Sequence, residues 1–298
     1  MALHVCLLYE GGPTKDKSIR SYMEEQLHDP VVQSSLPSFL RSLWIWLLLF
    51  LRNKTPLLEG PCRSYAAADR HVQEFQRLLG PDFRCYAIHH YGAGNIEAIS
   101  KTIPNKTKVV LLPLVPHRCA TLYSMLSQAR RVLQAKSCTL IEWKPYSTAP
   151  TFIESICTQI RKQIILLKDI HYGLLFMEQR QPEKWNQSPE EYREDINKTI
   201  QAVMKALGSQ QPHLIAHTQS KTVHKQLQPW KKQNIRTVIT IPTSWLLPSE
   251  LLRVEQNKIS QILHKEGFSC VHALSILSPE LDNYFIEELR SILEGKTT

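Results

Sequence analysis

The sequence predicts an α/β protein made of two similar doubly wound, Rossmann-like halves, each with a parallel sheet, and a cleft between them. Three observations predict it. Segments recur in the same order: His4-Val5-Cys6-Leu7-Leu8-Tyr9-Glu10 is echoed by His171-Tyr172-Gly173-Leu174-Leu175-Phe176-Met177-Glu178, Cys85–His89 by His213–His217, and Val109–Pro113 by Val238–Pro242. Each segment is a short apolar run rich in β-branched or aromatic residues and bounded by turn-formers, so each reads as a buried strand. Helical stretches separate the strands, and strands alternating with helices imply parallel sheets covered on both faces. A ligand site between two such halves is the default expectation.

The elements follow in order. A strand over 4–9 precedes helices over 18–27 and 37–52 and a turn at Glu59-Gly60-Pro61. Ala66, Val72, Phe75 and Leu78-Leu79 form the apolar stripe of a helix over 66–79. Then come a strand (84–89), a helix (95–103), a strand (108–114), a helix (120–134) and a strand (138–143). Pro145 and Pro150 punctuate the join, giving halves of 1–148 and 149–298, with the last helix free to pack back on the first half. The second half reads helix (151–166), strand (172–178), helix (189–207), strand (213–217), a short helix (220–227) and strand (236–241). It ends with a helix (249–266), a short strand (269–273) and a helix (279–294).

At 298 residues, 43% of them hydrophobic, the chain has material for two cores. A formal charge of +9 favours anionic partners, such as acidic lipid or a carboxylate-bearing ligand. The basic residues are scattered and form no recognised nucleic-acid module, so no nucleic acid is expected. The 7 cysteines sit singly without a C-x-x-C, which reads as reduced thiols in a cytoplasmic protein. Glu10 follows the first apolar run at once, so that run is read as a strand and not a signal peptide. Leu43–Leu51 is unbroken apolar sequence between Arg41 and Arg52, far short of the roughly 20 residues that span a bilayer. Two readings stand for it: a buried helix, or a lip that touches a membrane or lines a greasy cleft.

Functional loops of such a fold lie at the carboxyl ends of the strands. Glu10-Gly11-Gly12-Pro13 matches neither G-x-G-x-x-G nor a P-loop, which excludes nucleotide chemistry of those types. The other strand ends offer Pro116-His117-Arg118-Cys119, Gln179-Arg180-Gln181-Pro182, and Pro242 through Glu250.

These strand ends carry a resemblance. Leu7-Leu8 with Gly11-Gly12-Pro13, Asp29-Pro30-Val31-Val32 with Leu36-Pro37, Tyr91-Gly92 with Ile96-Glu97, Leu112-Pro113-Leu114-Val115-Pro116 and Gln219-Ser220-Lys221 together resemble the ferrochelatases. Those enzymes are lyases of haem biosynthesis that insert ferrous iron into a porphyrin. The ordered set runs from about residue 4 to 294. It implies porphyrin or haem as the partner, ferrous iron and porphyrin as substrates or ligands with no firm cofactor, and tetrapyrrole contacts from Glu10, Gly11, Tyr91, Pro116 and Arg118.

The resemblance also exposes departures. Metal insertion needs a group that presents iron and accepts the two pyrrole protons. The family supplies a histidine in a Ser-x-His-x-x-Pro stretch; anchored on Phe176 and Pro182, that position is Gln179 here. An amide is a poor iron ligand and takes no proton near neutral pH. Glu250 falls on the family's catalytic glutamate and could bind metal. Equally, Glu250 reads as a first-turn acid of a helix capped by Ser249. Glu178, after a one-residue slip, and His117 are candidate substitutes for the lost base, although a lone strand-end residue is commonly just solvated. Asn186-Gln187-Ser188-Pro189 replaces the family's Gly-Asp-Pro-Tyr. The expectation is therefore porphyrin or haem binding with weak or lost metal insertion, a pseudoenzyme. The alternative is an active divergent chelatase using Glu250 with His117 or Glu178. Location is expected to be cytoplasmic, with membrane association through 43–51 left open.

Overall fold

The structure, a computed structural model, describes residues 2–11, 63–91, 94–167, 171–179, 189–208, 211–216, 223–247, 250–273 and 276–295. The helices expected over 18–27 and 37–52, the turn at 59–61 and the apolar run 43–51 lie outside the described residues. The chain forms two compact units. One comprises Met1–Lys144, Gln181–Pro189 and Leu289–Thr298; the other comprises Pro145–Arg180 and Glu190–Glu288.

The first unit holds β1 (Leu3–Gly11), α1 (Arg63–Leu79), β2 (Phe83–Tyr91), α2 (Ile96–Ile99) with a 3-10 turn at Ser100–Thr102, β3 (Lys108–Pro113), α3 (Ala120–Gln134) and β4 (Thr139–Glu142). Its four strands are parallel in the order β2-β1-β3-β4. Residues 109–117 are all buried, because β3 is an inner strand covered on both faces. The expected helix over 95–103 divides into one α-turn capped by Asn95, whose side chain accepts from Ala98 N, and the 3-10 turn.

The second unit holds α4 (Pro150–Leu167), β5 (Tyr172–Met177), α5 (Pro189–Leu207), β6 (His213–Ala216), α6 (Val223–Lys232), β7 (Thr237–Ile241), α7 (Glu250–Lys265), β8 (Ser269–His272) and α8 (Pro279–Leu293). Its parallel order is β6-β5-β7-β8, the order of the first sheet repeated. Three helices start at a proline, whose fixed φ suits the first helical position and whose missing N–H is not needed there. Between α7 and β8 the chain turns at Gly267 (φ 85), and Phe268 N donates back to Leu263 O at 2.9 Å. That left-handed residue suits glycine because it has no Cβ to clash. The last turn of α8 belongs to the first unit, where Arg290 Nη2 donates to Leu78 O at 2.8 Å.

One expected boundary fails. The helix placed over 220–227 runs instead to Lys232, through Pro229. An interior proline costs about 3 kcal/mol. Continuing the helix inserts Trp230 into the core beside Leu227, Val238 and Phe268. Burying an indole of roughly 200 Å² is worth about 5 kcal/mol, which exceeds the proline penalty.

Candidate functional site

In the first unit the ends of three adjacent strands meet. Gly11 pairs with Tyr91, Leu8 pairs with Pro113, and Leu114 N donates to Leu8 O at 2.8 Å. Glu10, Gly11, Tyr91 and the Pro116–Arg118 segment therefore all leave the sheet at one edge. Glu10 and Arg118 are half-buried, while Tyr91 and Pro116 are buried. The Tyr91 carbonyl accepts from Tyr65 Oη at 3.0 Å. His117 is fully buried, so it is not a solvated strand-end histidine. It continues the buried run that begins at Val109.

Beneath this edge lies a histidine and tyrosine cluster that the sequence reading missed. Successive β2 residues point to opposite faces. His89 packs on Tyr65 (ring centroids 3.9 Å) and Tyr9 (5.6 Å), and Tyr9 Oη bonds His71 Nδ1 at 2.9 Å. Burial pushes His89 down to about 4, and among the described residues its Nδ1 has no hydrogen-bond partner. His90 takes the other face, its Nδ1 3.2 Å from Gln128 Oε1. Gln128 Nε2 donates to both Glu97 oxygens (3.1 and 3.3 Å). The carboxylate fixes the amide orientation, so the amide oxygen faces His90 and Nδ1 carries the hydrogen. His90 and Gln128 line a cavity of about 10 Å³ with Leu8, Ile88, Ile96 and Met125. That volume suits one water and no macrocycle. The His89-His90-Tyr91 triplet at a strand end was the signal available in the sequence.

In the second unit the ladder stops at Met177, which pairs with Ala216, and at Phe176, which pairs with Ile241. Glu178 and Gln179 follow beyond the sheet, where pleat alternation no longer assigns faces. Both are half-buried, so Glu178 reaches partial exposure without a register slip. Desolvation raises the Glu178 carboxyl above its usual range, and the Arg193 guanidinium partly offsets this. Gln179 N donates to Tyr192 Oη at 3.0 Å, with Ser244 Oγ at 3.4 Å. Tyr192 Oη and Ser244 Oγ lie 2.8 Å apart, and Thr243 Oγ1 donates to Met177 O at 2.7 Å. Tyr192 was legible as the lone aromatic of an otherwise charged first stretch of α5; the two hydroxyls after Pro242 carried no signal of their own.

Glu250 opens α7, but its side chain and Ser249 lie outside the described residues, as do Arg180, 186–188 and Gln219-Ser220-Lys221. Among the described residues, no group of three or more His, Cys, Asp or Glu side chains could hold a metal ion. Among them, too, no helix is long and apolar enough to cross a membrane.

The strand-end pattern can be set beside known proteins. The family model described as Ferrochelatase matches residues 4–245. The chain belongs to the ferrochelatase family. It is 21% identical over 315 residues to the ferrochelatase of Aquifex aeolicus (strain VF5), covering 98% of each chain. It is 24% identical over 247 residues to that of Geotalea uraniireducens (strain Rf4), covering 78% of this chain and 76% of the relative. Among solved structures, SirB from Bacillus subtilis with Fe3+ superposes with a TM-score of 0.60 at 10% identity, over 98% of this chain and 95% of that one. The sirohydrochlorin chelatase SirB from Bacillus subtilis subspecies spizizenii, in complex with cobalt, gives 0.53 at 11% identity, over 99% and 96%. Both units of this ferrochelatase-family chain therefore share the chelatase fold.

Proposed function

We propose that this ferrochelatase-family chain binds a porphyrin or haem and inserts metal weakly or not at all. One observation carries the reading: residue 179, at the position where the family resemblance places its histidine, is a glutamine held at the end of β5. A tetrapyrrole ligand class is supported by the family and by the relatives' names, and its propionates would suit a chain of formal charge +9. Glu10, Gly11, Tyr91, Pro116 and Arg118 are the proposed contacts of the first unit. Insertion needs a ligand for iron on one face of the ring and a base for two pyrrole protons. Gln179 offers neither, since its amide oxygen is a weak ligand and does not titrate. The role left is that of carrier, sensor or regulator of a true chelatase. Cytoplasmic residence and membrane contact through 43–51 belong to the same proposal.

A second reading is favoured by Glu178. Its raised carboxyl sits one residue from the lost histidine and is suited to hold or release a proton closer to neutral pH. On that reading the chain is a divergent active chelatase using Glu250 with His117 or Glu178, and the raised carboxyl favours Glu178.

An anaerobic assay with purified protein, ferrous iron and protoporphyrin separates the two by loss of porphyrin fluorescence. The first reading expects a shifted porphyrin spectrum without turnover above the protein-free rate. Clear turnover, abolished by Glu178→Gln, would replace it with the second. An unshifted spectrum would remove both.

A further inference from the structure

We infer that Tyr192 and Ser244 are positioning residues whose hydroxyls, brought from two different elements, fix the backbone of residue 179 and hence the direction its side chain takes. The functional meaning of this bracket rests on the proposed role of position 179; its existence rests on bonds alone.

A strand that leaves its sheet loses the ladder partners of its N–H and C=O groups, and buried backbone groups then need other partners. β5 has its last pairs at Phe176 and Met177. Side-chain hydroxyls nevertheless bond the backbone at this end of the strand. Thr243 Oγ1 takes the Met177 carbonyl at 2.7 Å, and Tyr192 Oη takes the Gln179 N–H at 3.0 Å. Ser244 Oγ, 2.8 Å from Tyr192 Oη, completes the triangle.

The supports are themselves fixed. Thr243 N donates to Ile241 O at 3.0 Å and Trp245 N to Pro242 O at 3.1 Å, closing the turn after β7. Trp245 anchors that turn in the core with Met177 and Leu252. Tyr192 sits on α5, whose buried Ile196, Ile200 and Val203 hold the helix in place. Tyr192, Thr243 and Ser244 are all buried, so water does not compete for their bonds. A reacting or ligating side chain needs its own backbone held to within a fraction of an ångström, because small misplacements forfeit much of the chemistry. The bracket supplies that support at the position where the family resemblance places its histidine, and the side chain it directs here is an amide.

Hydrogen exchange of the Gln179 amide in the full chain, followed by NMR, tests the bracket directly. The wild-type amide is expected to be protected. Tyr192→Phe and Ser244→Ala should each accelerate its exchange about tenfold, the worth of one net hydrogen bond. The amides of Leu174 and Leu175 should keep their rates, and Ser244→Thr, which retains a hydroxyl, should keep protection at 179. An unprotected wild-type amide, or an unchanged rate in both Tyr192→Phe and Ser244→Ala, overturns the inference. Uniform acceleration along β5 overturns it too, since the hydroxyls would then be general structural supports. A second readout addresses direction. In Gln179→His, iron(III) protoporphyrin should acquire the Soret shift of imidazole ligation, and adding Tyr192→Phe should weaken that ligation about tenfold. If wild-type protein leaves the iron(III) protoporphyrin spectrum unmoved, the porphyrin-binding reading fails, and the exchange rates still decide the bracket.

Discussion

The two units build one sheet twice and furnish it with different chemistry. The orders β2-β1-β3-β4 and β6-β5-β7-β8 are equivalent, and the echoed runs of the sequence occupy equivalent strands. Yet the buried histidines among the described residues, His4, His71, His89, His90 and His117, all belong to the first unit. The end of β5 in the second unit is organised by the hydroxyls of Tyr192, Thr243 and Ser244. Apolar patterning fixes the topology, whereas the few residues just past each strand can change without disturbing it. A resemblance spread over the whole chain is therefore compatible with an altered site.

The largest expected effect comes from removing this contrast. Gln179→His places an imidazole at the end of β5 in the second unit. If the remaining loops still serve the reaction, iron insertion should rise by about 10²- to 10⁴-fold, the usual contribution of a positioned general base. Steady-state rates with ferrous iron and protoporphyrin, compared with the wild-type chain, provide the check. A rise below tenfold would mean that the departures elsewhere, such as 186–189, have removed more than the base.

The next effect belongs to the first unit. Burial holds His89 at about 4, below the ordinary 6.5 of an unfolded histidine. Above pH 6.5 neither state is protonated and the folded form keeps its full stability. As pH falls from 6.5 to 4, the unfolded state binds the proton first, so stability declines by up to about 3 kcal/mol. Urea midpoints between pH 7 and 4 should show that loss, and His89→Phe should flatten it. Burial also lowers His4 and, in the second unit, His272, so some slope should persist in the variant. Equal slopes in the two proteins would remove His89 as the cause.

How far the sequence foretold these features depends on how local each one is. The bounds of α3 and α5, Ala120–Gln134 and Pro189–Leu207, were legible because each apolar stripe lies within one stretch of chain, with Ser188-Pro189 as a start signal for α5. The α6 end was not, because Pro229 is a local stop signal overridden by the burial of Trp230. At the site, the glutamine at 179 stands out in the sequence only through the resemblance, with Phe176 and Pro182 as anchors. The hydroxyl bracket was not legible, since residues 179, 192 and 244 meet only through tertiary folding. His117 could not be assigned either, because a histidine after a strand reads alike whether the chain beyond it is buried or exposed.

The echo also sharpens the comparison inside the sheets. Cys6 of β1 and Gly173 of β5 are buried small residues on the equivalent inner strands of the two sheets. A Cβ on Gly173 would lie 2.6 Å from Trp230 Cζ3 and 2.8 Å from Cη2, closer than real Cβ contacts allow. The indole is buried and rigid, so Gly173→Ala should cost about 2 kcal/mol by overpacking. On the equivalent strand of the first unit, Cys6→Ala removes one fully buried sulfur and should cost about 1 kcal/mol, with a small cavity as the cause. Thermal denaturation of both variants measures the difference. Equal losses would show that Trp230 moves aside, and that the bare Cα at 173 is not what admits it.

The smallest effect concerns how the units start their helices. Ser278 Oγ accepts from Leu281 N at 3.2 Å and bonds Ser155 Oγ at 2.7 Å, both buried, at the head of α8. In the first unit Cys119 Sγ takes the same capping role for α3, accepting from Leu122 N at 3.4 Å. Sulfur is a weak acceptor, so the two caps differ in strength although their geometry is alike. Ser278→Ala should lower stability by about 1 kcal/mol, and Ser278→Thr should recover part of it. Chemical denaturation with both variants gives the values. An alanine loss with no recovery by threonine would assign the cost to the Ser155 pairing, since a threonine hydroxyl can still cap the helix while its extra methyl disturbs the buried contact.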